Sequence, residues 1–439
     1  PFTHFPRGGF MVPAVGGAAP EAPSREEASN LSAADLGEGI ELSLSSGTAE
    51  NANDIRRVEA RRRRYARRLG LRRAYATAPE LAELRTVEGY LPRLARCGHQ
   101  CRTGTVEVRV ETTDHGARGY LAGLESCESV WACPVCSARI WARRRDDLDR
   151  VAAWAREQGA RSWMLTLTVR HRSRHDLRAL RQGLARSWSK FISGRFWLNF
   201  RKNFGVVGYV RRMEITWGRR HGWHPHLHVQ IHATRDFDDE HELSLIWRAR
   251  LATRWRECVE RVLGAEHVPD IWRGCDLREH DRADAYIGEN SLEISDGDAK
   301  QARRRSRLSV GQLADLVASG VRADASRSAR ERYARAARAW CEYVVATRGA
   351  RALTWSVGLR RDAGLVDDED AADAEADAAE AARSPVLATM EGQLWSQRVR
   401  WRYREICALL EAAERGDVTA LVRAGCVAAT ASTCEARAG

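Results

Sequence analysis

Between Trp223 and His232 the chain reads Trp-His-Pro-His-Leu-His-Val-Gln-Ile-His, with an apolar residue at every second position. Such a run has two distinct faces only as an extended strand, whose successive side chains point to opposite sides. Trp223, Pro225, Leu227, Val229 and Ile231 share the face suited to burial, and His224, His226, His228, Gln230 and His232 line the other. The stretch 206–216 has the same parity: Tyr209, Met213 and Ile215 are apolar, and Arg212, Glu214 and Thr216 lie opposite. A hairpin loop over Trp217–Gly222, centred near Arg220, pairs Glu214 with His226 and Thr216 with His224. A register slip of two residues leaves the same side chains on the same face.

Two imidazoles at a spacing of two, beside a carboxylate from the neighbouring strand, form a three-ligand site with open positions. That is the arrangement of a Lewis-acid centre rather than of a closed structural one. Glu214, His226 and His228 are the candidate ligands, with His224 as a further one. The bland alternative is a hairpin whose histidines hydrogen-bond or face solvent; three histidines at this spacing opposite a carboxylate favour the metal. Mixed nitrogen and oxygen ligation tolerates Mn²⁺ or Mg²⁺ in a reaction on phosphate, while nitrogen ligands alone also suit zinc.

The 439 residues suggest two to three domains and ample core. No apolar run approaches the roughly 20 residues that span a bilayer, which excludes an integral helical membrane protein. The net charge of +12 and pI near 9.5 favour a polyanionic partner, nucleic acid before a membrane surface. Only Lys190, Lys202 and Lys300 are lysines, a skew toward arginine that a GC-rich coding sequence also produces. The apolar stretch 8–20 is broken by prolines and glycines and lacks a basic start. It is no export signal, so a cytoplasmic protein is expected.

Five of the eleven cysteines fall between Cys97 and Cys136. In a chain this long, a local cluster points to metal in a reducing compartment rather than to a disulfide framework. Cys133-Pro-Val-Cys136 is a knuckle whose two thiolates can bind one tetrahedral zinc. Cys127, with Cys97 or Cys101, completes a four-thiolate set; reduced buried cysteines are the plain alternative.

The expected fold class is α+β: an antiparallel sheet presenting the metal ligands on one face, with helices packed on the other. Residues 1–54 read as a disordered leader, and 55–96 as a basic helical arm, either a solvated face or a phosphate contact. Residues 97–160 hold the cysteine-rich zinc-binding element and a basic helix whose Arg139, Arg143, Arg144 and Arg145 are candidate DNA contacts. The core, 161–308, has a strand at 163–169, a charged helix at 174–203, the two strands of the hairpin and a helix at 238–263. A further helix in it carries Tyr286, and a polar loop spans 296–308. A helical extension (309–365) includes a short strand between Leu353 and Leu359. An acidic, alanine-rich linker (366–384) and a small helical C-terminal unit (385–439) follow. The apolar stripe of that unit is Leu394, Trp395, Val399, Ile406, Leu409 and Leu410.

His226-Leu227-His228 resembles the histidine–hydrophobic–histidine motif of HUH endonucleases. Among these the chain is most similar to rolling-circle replication initiator (Rep) proteins of small bacterial plasmids, in the group with one catalytic tyrosine. Leu165-Thr-Leu-Thr168 resembles the first motif, and Glu214 with Trp223–Val229 the second. Ala283-Asp-Ala-Tyr286-Ile-Gly288 resembles the third, which supplies the nucleophile. Ala339–Tyr343 and Thr354–Leu359 are similar to stretches of actinobacterial plasmid Rep proteins, and the resemblance covers about 95–425.

The resemblance implies site-specific nicking and joining at a plasmid origin with Mn²⁺ or Mg²⁺. Tyr286 would attack phosphorus and leave a 5′-phosphotyrosine and a free 3′-hydroxyl that primes synthesis. On a helix Arg282, Tyr286 and Glu289 share a face, so Arg282 could hold a non-bridging phosphate oxygen. The family usually has a lysine three residues after the tyrosine, where this chain has Glu289. Some relatives use a glutamate four residues before it to activate water for termination, where this chain has Arg282. Asp284 and Glu289 are the remaining carboxylates for that role.

The Cys97-Gly98 and C-x5-C-P-x-C patterns resemble the N-terminal zinc element of the same group. They imply a structural Zn²⁺ on Cys97, Cys127, Cys133 and Cys136, with Cys101 surplus. Implied partners are single-stranded or cruciform origin DNA and a host helicase, polymerase and single-strand binding protein, with no membrane. The rivals are an HUH relaxase or transposase, and a non-enzymatic, zinc-dependent DNA-binding regulator whose histidines are structural.

Overall fold

The computed structural model describes residues 49–86, 90–113, 116–237, 242–279, 307–367 and 384–429. The expected leader up to residue 48, the helix carrying Tyr286 and most of the acidic linker lie outside the described residues; residues 49–54, expected in the leader, instead begin a helix. The first part holds α1 (Ala49–Thr77), β1 (Thr105–Thr113), β2 (Gly116–Ala122), α2 (Pro134–Glu157) and β3 (Arg161–Thr168). Then come α3 (Leu177–Phe191), α4 (Gly194–Phe204), β4 (Val206–Gly218), β5 (Gly222–Ala233), α5 (Glu242–Leu263) and β6 (Cys275–Glu279). The remainder holds β7 (Arg307–Leu308), α6 (Val310–Ala318), α7 (Arg327–Thr347), β8 (Leu353–Trp355), β9 (Val386–Glu391), α8 (Tyr403–Glu414) and β10 (Val427–Ala428). No helix among the described residues is long and apolar enough to cross a membrane.

Helices combine with two antiparallel sheets. One runs β6-β3-β5-β4-β7, with β8 also paired to β4; the other runs β10-β9-β1-β2. In the first, the hairpin register pairs Glu214 with His226, Thr216 with His224 and Gly218 with Gly222. Gly222 closes the turn at φ +71°, where a Cβ would sit 2.7 Å from the Ser173 backbone, so glycine is required there. On the other side of β5, Thr166 of β3 lies opposite His228 and Thr168 opposite His226.

Leu165, Leu167, Ile215, Leu227 and Val229, odd-numbered residues of these three strands, are buried in one core with residues of α3, α5 and α7. Each such side chain contributes about 1.5–3 kcal/mol of hydrophobic stabilisation. Asp176 starts α3 by accepting the Ala179 N–H, and Leu177, Leu180, Leu184 and Trp188 form its inward face. The indole of Trp255 on α5 donates to Thr168 O at 2.8 Å. Trp223 stacks on Tyr343 of α7 and donates to Glu342 at 2.7 Å.

Several sequence expectations need correction. The single charged helix at 174–203 is two helices, because the chain turns at Ser193–Gly194 with Gly194 at φ +76°. Helices do not cover one face alone. The Arg212 guanidinium lies 4.9 Å from the Trp141 ring of α2, so α2 covers part of the polar face, and Arg212, Gln230 and His232 are buried.

Residues 385–439 are not a helical unit of their own: β9 pairs with β1, and β10 with β9. The reason is the alternation of β1. It aims Val106 and Val108 at one side, where Ala388, Met390, Trp395, Ile406 and Leu410 complete a second core. The strands β1, β2 and β6 had no place in the sequence reading.

The basic arm is neither a solvated face nor free for phosphate along its inner row. Arg61 Nη2 donates to both carboxylate oxygens of Glu414 of α8 at 2.7 and 2.9 Å, and Arg67 makes a bidentate pair with Asp315 of α6 through Nε and Nη2 at 2.6 and 2.8 Å. Arg72 donates to Ala95 O and Cys97 O. All three are buried, so α1 is an internal strut. Arg61→Ala, which leaves Glu414 as a buried charge, is expected to lower the unfolding free energy by about 3 kcal/mol in urea titrations. Arg62→Ala breaks the pair with Glu411 at a site 46% exposed and should cost under about 1 kcal/mol. Equal losses would contradict burial as the source of the effect.

Candidate metal centre and thiolate cluster

The register fixes the centre. Glu214 stands opposite His226, and His228 lies diagonally from it on the same face. One Glu214 carboxylate oxygen is 3.0 Å from His228 Nε2 and 3.3 Å from His226 Nε2. All three residues are buried, and their ligand atoms lie within 4.8 Å of one another.

The outer ring nitrogens explain the aim of the inner ones. His226 Nδ1 faces His224 O at 3.4 Å; a carbonyl only accepts, so Nδ1 carries a proton and Nε2 is the nitrogen turned toward Glu214. His228 Nδ1 is 3.2 Å from Thr166 Oγ1, which likewise leaves Nε2 toward Glu214. Metal-binding imidazoles are characteristically held in this way. Two nitrogens and a carboxylate with open positions fit a divalent cation.

Burial pushes the Glu214 carboxyl up. The charge of His226 and hydrogen bonds from both imidazoles outweigh it and hold the group well below the usual carboxylate range. Burial takes His228 down to about 4 against the pull of Glu214. At neutral pH the set is therefore one carboxylate with a neutral His228, a state ready to ligate.

His224 does not join the group. Its Nδ1 lies 2.8 Å from His171 Nε2, and His171 Nδ1 is 3.0 Å from His221 O. The expectation of His224 as a ligand is corrected accordingly: its ring is turned to the loop after β3. Tyr286, Arg282, Asp284 and Glu289 lie outside the described residues.

The four cysteines Cys97, Cys127, Cys133 and Cys136 do come together, with ligand sulfurs within 4.8 Å. Cys97 Sγ is 3.4 Å from Cys136 and 3.8 Å from Cys133, and Cys127 is 3.7 Å from Cys136. Cys133 caps α2, its sulfur accepting the Cys136 N–H. Cys101 instead donates to Thr105 O and packs against the second core. Hydrogen bonds from Cys127, Cys133 and Cys97 hold Cys136 well below the ordinary thiol range, while those toward Cys133, Cys136 and Cys97 push Cys127 well above it. Four sulfurs gathered this closely fit a tetrahedral zinc. Beside it, burial opposes the Arg68 charge, and Tyr65 with the thiols Cys97, Cys133 and Cys136 outweighs burial.

A third grouping, His175, Glu266 and His267, is less apt for metal. His175 Nδ1 accepts the Arg172 N–H at 3.1 Å, so its proton sits on Nε2, 3.3 Å from Glu266. The group reads as a carboxylate joining two imidazoles.

Of the candidate DNA contacts, Arg144 is buried 3.6 Å from Asp147, out of reach of phosphate, and Arg139, Arg143 and Arg145 are half-buried on α2. Thr166 and His171 were missed as partners of the centre. Thr166 stands inside the Leu165–Thr168 motif, but its role needs the pairing of β3 with β5; nothing local marks His171.

Residues 119–264 match a family described as a replication protein. The matched stretch runs from β2 to just past α5 and contains Glu214, His226 and His228, so the likeness supports a replication protein. Among curated proteins, a Streptomyces lividans protein named "Protein rep" is 26% identical over 309 residues, 58% of this chain and 66% of that protein. A Streptomyces cyanogenus "Neomycin resistance protein" is 29% identical over 134 residues, 25% of this chain and 30% of that one. The chain thus spans less than two thirds of either relative. No solved structure matches.

Gly98, at φ +60°, lies against the Arg68 guanidinium, which a Cβ there would overlap. Gly98→Ala is expected to lower stability by about 1–3 kcal/mol and to raise the number of thiols that react with a chromogenic disulfide. Gly104→Ala, at φ +80° with nothing near its Cβ, isolates the backbone part. Matching losses and unchanged thiol reactivity would show that the Arg68 contact is immaterial.

Proposed function

We propose that the chain is a plasmid rolling-circle replication initiator of the HUH endonuclease type, which nicks and rejoins one strand at the origin through Tyr286. One observation carries this reading: a buried carboxylate and two imidazole Nε2 atoms converge on adjacent strands, within the stretch that matches replication proteins.

Glu214, His226 and His228 would hold Mn²⁺ or Mg²⁺, which when bound supplies Lewis-acid polarisation of the scissile phosphate. The chain's own groups do the rest. The Tyr286 phenol loses its proton as its oxygen attacks phosphorus. The DNA 3′-oxygen leaves with the bonding pair and takes up a proton. The strand 3′ of the nick stays esterified to Tyr286, so the reverse attack by a 3′-hydroxyl rejoins it.

Arg282 is assigned to a non-bridging oxygen, and Asp284 or Glu289 to activating water for termination. Zinc on Cys97, Cys127, Cys133 and Cys136 is closed and structural. Arg139, Arg143 and Arg145 remain the candidates on α2 for phosphate, with Arg144 withdrawn. The substrate is single-stranded or cruciform origin DNA in the cytoplasm, handed on to a host helicase, polymerase and single-strand binding protein.

The test incubates the full chain with Mn²⁺ or Mg²⁺ and 3′-labelled single-stranded oligonucleotides tiling the replicon that carries the gene. A labelled adduct that survives denaturing electrophoresis is expected. Tyr286→Phe should abolish it and leave binding intact; loss of binding as well would make Tyr286 a packing residue. His226→Ala should cut cleavage by more than about 100-fold, beyond the loss expected for an outer partner. Thr166→Val, which removes only the hydroxyl beside His228, should weaken Mn²⁺ binding by about 10- to 100-fold in calorimetry. Wild-type cleavage by His226→Ala would refute the ligand assignment.

A further inference from the structure

Ten tryptophans of this chain are buried to 8% exposure or less, whereas Trp272 is 85% exposed. It sits in the turn before β6. Its own N–H donates to Asp270 Oδ1 at 2.9 Å, and the N–H of Gly274 donates to Asp270 O at 2.8 Å, so the backbone under the indole is well anchored.

The turn is also tied to the candidate centre. Thr168, which pairs with His226, donates its N–H to Gly274 O at 3.0 Å and its hydroxyl to Arg273 O at 3.2 Å. Two more loops meet at this end of the sheet: the one after β3, which touches Gly222, and the β4–β5 connection, joined to it through His171 and His221. Arg170, Arg172, Arg219, Arg220 and Arg273 are exposed on these three loops. No ion pair neutralises these five among the described residues, in contrast to Arg174 beside them, which pairs with Glu266 at 2.8 Å.

We propose that Trp272 is a stacking platform for an unpaired base, and that the surrounding arginines hold the phosphates of the same strand as it reaches the Glu214–His226–His228 centre. This rests on the reading that the chain acts on single-stranded DNA, and it locates where that strand is held. An indole presents a flat apolar face that any base can cover, and the surrounding positive charge matches a polyphosphate. In a duplex the bases already stack on one another, so the platform selects unpaired DNA. A protein partner would have to bury five unpaired guanidinium groups, a costly match for anything but a polyanion.

The experiment uses the full chain, without added divalent cation, and fluorescent oligothymidylate of about 15 nucleotides, close to the upper range of single-strand site sizes. Anisotropy is recorded across a salt series. Trp272→Ala should weaken binding by about 5- to 100-fold, the range for losing one stacked base. Trp272→Phe should keep most of the affinity, and a duplex of equal length should bind both variants as it binds the wild type. Trp272→Ala should leave the slope of log affinity against log salt unchanged, whereas Arg273→Gln should reduce it by about 0.7. Wild-type affinity of Trp272→Ala for oligothymidylate, or an equal loss for duplex, would overturn the proposal. The adduct assay separates the two readings. Trp272-dependent binding with no adduct from any origin strand would retain the platform and sink the nicking reading; adduct formation with Trp272-independent binding would do the reverse.

Discussion

Pairing of Glu214 with His226 across β4 and β5 puts a carboxylate and two imidazoles where water is largely excluded. Removing a carboxylate from water costs several kcal/mol unless partners compensate, and here the partners are the two Nε2 atoms. The parity of the hairpin makes this arrangement unavoidable. A slip of one residue would turn Leu227 and Val229 out of the main core and bring the histidines into it. The hydrophobic face therefore holds the polar face in register, and Thr166 and the His224 carbonyl hold the outer nitrogens. Stability and site geometry are two results of one alternation.

The charge of the chain has to be read with its interior in mind. A net +12 suggests a surface made for polyanions, yet Arg61, Arg67 and Arg72 are spent inside, joining α1 to α8, to α6 and to the segment that ends in Cys97. Arg144 is spent in the same way beside Asp147. What bears on a partner is the positive charge that remains exposed, and at the end of the first sheet it gathers on loops only a few residues from the ligand-bearing strands. Charge density near the centre, rather than the total, is the electrostatic feature that matters for DNA.

Local periodicity made the hairpin legible: its register, its two faces and the strand at 163–169 all follow from alternation and β-branched composition. The knuckle Cys133–Cys136 was legible too, whereas choosing Cys97 over Cys101 needed a resemblance, because both lie at suitable spacing. Elsewhere the pattern underdetermined the answer. β1 alternates well, but its apolar residues find their cover more than 250 positions away, in β9 and α8. The arginines of α1 look alike in sequence, and only the positions of Glu414 and Asp315 separate the buried row from the exposed one. His224 shares the parity of His226, and its ring is claimed by His171 from a loop whose course no local signal predicts.

α2 links the two groups of ligand-type residues. It begins at the thiolate cluster, with Cys133 at its cap and Cys136 in its first turn. Five residues beyond Cys136, roughly 7.5 Å along the helix, Trp141 lies against Arg212, the residue paired with His228 across β4 and β5. A cluster that keeps its sulfurs together fixes where α2 starts, hence where Trp141 presses on the polar face. The same helix carries Asp147, which receives Arg360 from the segment after β8, so its far half is fixed as well. A helix pinned at both ends cannot tilt without disturbing Arg212 and its neighbour His228. The cysteines thus bear on the strand centre only through α2, while Thr168 and the arginine-bearing loops meet at the neighbouring end of the sheet.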